Sequence, residues 1–84
     1  MLKEIAKTKT GAPLGFVEIL YKTDKRYYRI VRARSGDMYQ IYLNNSEYGR
    51  PEYDEKMYYK NRQVREYTIK DCKESIKVYE MLEN

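Results

Sequence analysis

The sequence predicts an α+β domain: a small antiparallel sheet of three to five strands packed against one C-terminal amphipathic helix. Three observations lead there. Residues 16–43 alternate apolar and polar side chains in three runs separated by turn residues. Residues 68–83 repeat apolar side chains every three or four positions, the period of a helix face. The chain has 84 residues, enough for one domain with a thin core.

Residues 1–15 read as a lead-in segment, with Leu2 and Ile5 able to make a helical turn or pack on the domain's edge. Thr8–Pro13 reads as loop, since it holds Gly11 and Pro13. Phe16–Lys22 is the first predicted strand, with Val17, Ile19 and Tyr21 on one face and Phe16, Glu18, Leu20 and Lys22 on the other. Thr23-Asp24-Lys25 is read as a turn. Arg26–Arg34, RYYRIVRAR, is the second strand. Ser35-Gly36-Asp37 closes the next hairpin, where Gly36 tolerates positive φ. Met38–Leu43 is the third strand, with Tyr39, Ile41 and Leu43 on one face. Residues 16–43 thus form a meander.

Residues 44–56 are polar and include Gly49 and Pro51, so they read as a long loop. Residues 57–67 form a possible hairpin, Met57–Lys60 and Gln63–Tyr67 joined at Asn61-Arg62, with partial helix as the alternative. Residues 68–83 are the helix. Thr68 is its cap, and Asp71 sits three positions on. Ile69, Cys72, Ile76, Tyr79 and Leu82 form its apolar stripe.

Composition narrows the chemistry. The net charge is +4, and it is uneven: residues 1–34 hold nine basic and three acidic residues, whereas residues 35–84 hold eight and ten. Such asymmetry steers an anionic partner. Tyrosine occurs 11 times and tryptophan not at all. There is no histidine, so the commonest neutral-pH base and metal ligand is missing. Cys72 is the sole cysteine and falls on the helix stripe, where an inert buried thiol is expected rather than a nucleophile. It excludes both an internal disulfide and a zinc site of Cys/His type. No glycine-rich phosphate loop appears. The expectation is a non-enzymatic protein without cofactor or metal. A lone thiol suits a reducing compartment, and no apolar run approaches membrane-spanning length, so a cytoplasmic location is expected.

The second strand carries the functional expectation. Period-two geometry puts Arg26, Tyr28, Ile30, Arg32 and Arg34 on one face and Tyr27, Arg29, Val31 and Ala33 on the other. The second set holds the smaller residues and is expected beneath the helix, with Arg29 snorkelling or paired to an acid. The first set then presents a row of guanidinium groups and a ring to solvent. Gln40 and Tyr42 extend that surface. Guanidinium forks suit phosphates, a tyrosine ring stacks on a base, and glutamine reads a base edge. The reading is a nucleic-acid-binding module, for DNA or RNA, using Arg26, Tyr28, Arg32, Arg34, Gln40 and Tyr42.

A protein-interaction or inhibitory module is the alternative, because tyrosine and arginine also dominate protein interfaces. Its residues are Tyr48, Arg50 and Tyr53 in the acidic loop and Tyr58 and Tyr59 beyond it. If Tyr58 and Tyr59 lie on a strand, one of them faces the core. Lys60, Arg62 and Arg65 follow as a second aromatic-basic patch. Exposed strand edges also admit a homodimer.

Overall fold

The computed structural model describes residues 2–9, 15–32, 36–44 and 55–82. It has an antiparallel sheet covered on one face by a single helix. Strands β1 (Lys3–Lys9), β2 (Val17–Lys22), β3 (Tyr27–Arg32) and β4 (Tyr39–Asn44) form an up-and-down meander in that spatial order. Short strands follow: β5 (Glu55–Lys56), β6 (Tyr58–Tyr59), β7 (Arg62–Gln63) and β8 (Arg65–Glu66). Helix α1 spans Ile69–Leu82.

The lead-in expectation needs correction. Lys3–Lys9 is a full edge strand paired with β2, with an irregularity in register between Glu4 and Ala6. Lys3 and Lys7 are exposed on it, charges that discourage edge-to-edge association. The expected loop at Thr10–Pro13 lies outside the described residues, as does most of the expected 44–56 loop. Within that range Glu55–Lys56 is a strand instead, paired with Tyr42 and Leu43 of β4.

The edge beyond β4 is shared. β5 pairs with one end of β4, and β8 pairs with the other through Tyr39↔Glu66 and Gln40↔Arg65. Between them the chain leaves the sheet as the β6–β7 hairpin. Its two-residue turn is Lys60-Asn61, not Asn61-Arg62, and both residues have positive φ (51° and 65°). This is the handedness that a two-residue hairpin loop requires. Met57 stands at the point of departure. Its amide donates to the Ile41 carbonyl, its own carbonyl accepts from Val64, and its side chain is buried.

The core lies between sheet and helix. Val17, Ile19 and Tyr21 of β2, Tyr28 and Ile30 of β3, Tyr39 and Ile41 of β4, and Met57 pack with Cys72 and Ile76 of α1. Thr68 caps the helix: the Asp71 amide donates to its hydroxyl at 3.1 Å. The predicted stripe holds for Cys72 and Ile76, with Ile69 and Tyr79 partly buried against the cluster. Leu82 is the exception at 59% exposed, since it sits in the last turn beyond the sheet's cover.

Candidate functional site

The second strand faces the opposite way from the sequence expectation. Tyr28 and Ile30 are fully buried under α1. The reason is turn length. β2 and β3 pair with Tyr21 opposite Tyr28 and Lys22 opposite Tyr27, so four residues, Thr23–Arg26, form the connection. A three-residue turn ending at Lys25 implies a register shifted by one, and one position exchanges the two faces of a strand. Thr23 holds the longer turn. Its hydroxyl accepts from the amides of Lys25 and Arg26, and its amide donates to the Arg26 carbonyl at 2.9 Å.

The predicted arginine row is therefore not a solvent-facing surface. The Arg26 guanidinium is 3.6 Å from Glu80 and lies over the Tyr79 ring. Tyr28 is buried, and its hydroxyl donates to Glu80. Arg32 lies over the Tyr39 ring at 5.1 Å. Arg34 lies outside the described residues, as do Tyr48, Arg50 and Tyr53. Arg29, expected beneath the helix, is on the other face and donates to Glu18 at 2.8 Å.

Gln40 and Tyr42 do lie on the face away from the helix, as the alternation of β4 predicts. They are joined there by residues from the hairpin. The Tyr42 hydroxyl donates to Gln40 Oε1 at 2.7 Å, and Gln63 Nε2 donates to the same oxygen at 3.2 Å. Arg65 donates to Gln63 Oε1 at 3.2 Å. Lys56 is the cross-strand partner of Tyr42, and Tyr58 that of Gln63. These pairings bring β4, β5, β7 and β8 into one polar surface.

Neither hairpin tyrosine faces the core. Tyr58 is 53% exposed and Tyr59 42% exposed, because Met57 takes the core position and the hairpin projects from the sheet edge. Tyr59 pairs with Arg62 on the hairpin's other face. There, with Val64, Ser75, Val78 and Tyr79, they line a groove of about 440 Å³ against α1. Lys60 lies over the Tyr59 ring at 5.4 Å. Lys56, Lys60, Arg62 and Arg65 are exposed, and none forms an ion pair among the described residues. Sequence reasoning missed two participants, Lys56, which it left in the loop, and Gln63. Reading the turn as Lys60-Asn61 places Gln63 opposite Tyr58, so its signal was the turn position.

The remaining chemistry is structural. Cys72 is buried, and burial followed by the carboxylates of Glu66 and Asp71 pushes its thiol up to about 12, far from a nucleophilic thiolate. Among the described residues no group of three or more His, Cys, Asp or Glu side chains is placed to hold a metal ion. Among them, too, no helix is long and apolar enough to cross a membrane. No family model matches the chain, and no curated protein or solved structure matches it.

Proposed function

We propose that the protein is a non-enzymatic module that binds single-stranded nucleic acid through the β6–β7 hairpin and the adjoining end of β4. One observation carries the reading: two exposed tyrosines sit among four exposed cations, none of which forms an ion pair with a described acid, although Glu66 and Glu74 line the groove beside Arg62 and Arg65. Arg26 of the β2–β3 turn and Arg29 and Arg32 of β3 are occupied internally, by Glu80, Glu18 and the Tyr39 ring respectively. Lys56, Lys60, Arg62 and Arg65 instead have their charge available to an external anion.

The roles follow from side-chain chemistry. Tyr58 and Tyr59 offer faces on which unpaired bases stack. Lys60, Arg62 and Lys56 contact phosphates, and Gln40 and Gln63 meet base edges. A single strand suits tyrosines on opposite faces of a narrow hairpin, since its bases are free to splay. The chain's +4 charge adds attraction at long range. A lone buried thiol suits a reducing, cytoplasmic setting.

The experiment is fluorescence anisotropy with labelled single-stranded DNA and RNA across a salt series. Affinity is expected to fall linearly with the logarithm of salt concentration. Absence of binding to any strand at low salt overturns the proposal.

A protein-interaction reading draws on a different observation: Val78, Met81 and Leu82 are exposed at the end of α1, and Val78 lines the hairpin groove. It predicts a stoichiometric complex lost on Val78→Asp. A complex indifferent to that change removes this site from consideration.

A further inference from the structure

Arg65 has donors only, and it orients a relay of side chains on this surface. Because its Nη2 donates to Gln63, the Gln63 amide must turn its oxygen toward Arg65. The Gln63 nitrogen is then directed at Gln40, which must present its own oxygen. That oxygen also receives the Tyr42 proton. One guanidinium thereby sets two amides and a hydroxyl, with no freedom to exchange oxygen and nitrogen at either glutamine.

The consequence concerns what faces outward. Gln40 Oε1 accepts two hydrogen bonds within the relay and is saturated, and Gln63 Oε1 accepts one, from Arg65. The groups left uncommitted among the described residues are mostly N–H donors: those on Gln40 Nε2, the second on Gln63 Nε2, and the outer N–H groups of Arg65. The acceptors remaining in the relay are the phenolic oxygen of Tyr42 and one lone pair of Gln63 Oε1, on the side already facing Arg65.

We propose that this donor-polarised relay makes the site select guanine among the bases of a single strand, an inference that rests on the nucleic-acid reading above. The Hoogsteen edge of guanine presents N7 and O6, two acceptors side by side. On that same edge adenine sets its N6 amine beside N7 and cytosine presents its N4 amine, donor against donor. Thymine offers O4 alone on that edge. Tyr58, the cross-strand partner of Gln63, supplies a ring beside the reading groups.

The test measures anisotropy at low salt with short labelled strands of thymine interrupted by guanine, adenine, cytosine, or the deaza analogue of guanine that lacks N7. The guanine strand is expected to bind roughly fivefold or more tightly than the adenine and cytosine strands, with much of the gain lost in the analogue. Equal binding of all strands overturns guanine selection and leaves the nucleic-acid reading standing. No binding to any strand overturns both. Gln63→Glu supplies the second arm. A carboxylate there accepts from Arg65 and from Gln40, so Gln40 turns its nitrogen inward and its oxygen outward. The guanine-to-adenine affinity ratio is expected to fall toward or below unity. Its persistence in this variant overturns the relay as its cause.

Discussion

The Tyr28 hydroxyl donates to Glu80 Oε2 at 2.6 Å, joining the start of β3 to the last turns of α1. The same carboxylate lies 3.6 Å from the Arg26 guanidinium, and Lys25 donates to the Glu80 backbone carbonyl at 3.1 Å. Tyr28 also meets Tyr79 edge-on at 6.3 Å. Glu80 thus gathers the β2–β3 turn and the helix end into one cluster, and that cluster occupies Arg26 and Tyr28, two of the side chains the sequence had suggested for an external anion.

This arrangement makes stability depend on acid. Burial alone raises the Glu80 carboxyl, but the hydrogen bond from Tyr28, the nearby Thr23 hydroxyl and the charges of Arg26 and Lys25 bring it below its ordinary value. A carboxylate with a lowered folded pKa contributes stability that is fully present above the unfolded value and is lost as pH falls through the folded one. Tyr28→Phe is expected to cost about 1.5–3 kcal/mol at neutral pH, the range for a hydrogen bond to a charged group. Urea unfolding should show that cost shrinking once Glu80 is protonated. A pH-independent difference between wild type and variant would contradict the assignment.

How much of this was legible without coordinates depends on which signal each element offered. The helix had cap and period together, and β2 and β4 each had one plainly apolar face. The helix-facing residues Val17, Ile19, Tyr21, Tyr39 and Ile41 are accordingly those that alternation selects. β3 lacked that contrast: each of its faces carries tyrosine, arginine and a branched residue. Only register separates them, and register rests on whether Arg26 belongs to the turn or to the strand. The backbone bonds of Thr23 decide this, and they are invisible in composition. The site suffered the same error at its main strand, while Gln40 and Tyr42 kept their face because β4 was unambiguous. β1 was missed because Ile5 and Leu2 are too few apolar side chains to show period two.

Core and end positions of the helix should separate cleanly. Ile76 is buried in the cluster and Leu82 is exposed, although both belong to the same sequence stripe. Ile76→Ala is expected to lower stability by about 2–5 kcal/mol, the range for a buried aliphatic truncation. Leu82→Ala should stay within about 0.5 kcal/mol of wild type. Denaturant midpoints of the two variants check the contrast, and similar losses would mean that the last turn is packed.

Cys72 provides a probe of opening. Its thiol is buried and pushed up to about 12, so it is both shielded and protonated at neutral pH. A chromogenic disulfide reagent is expected to react in urea and to be silent, or limited by the unfolding rate, under native conditions. Prompt reaction of the native protein would show that α1 lifts from the sheet locally.

Arg32 and Arg62 are opposed predictions from one residue type. The Arg32 guanidinium lies over the Tyr39 ring, and its buried Nε has no hydrogen-bond partner among the described residues. Its stem and ring contact favour the folded state, so Arg32→Ala should cost about 1 kcal/mol, as expected for a partly desolvated cation–π pair. Arg62 is exposed on the hairpin and pairs with Tyr59 across the turn. Arg62→Ala should leave stability within about 0.5 kcal/mol of wild type. In nucleic-acid binding the order reverses. If Arg62 meets a phosphate, its loss weakens every strand alike and reduces the slope of log affinity against log salt by roughly 0.7, the increment for one contact on a single strand. Arg32→Ala should leave that slope unchanged in protein that remains folded. Paired unfolding and salt-titration measurements on the two variants therefore locate the anion surface. A slope that responds to Arg32 and ignores Arg62 would return it to the sheet, against the burial of β3 beneath the helix.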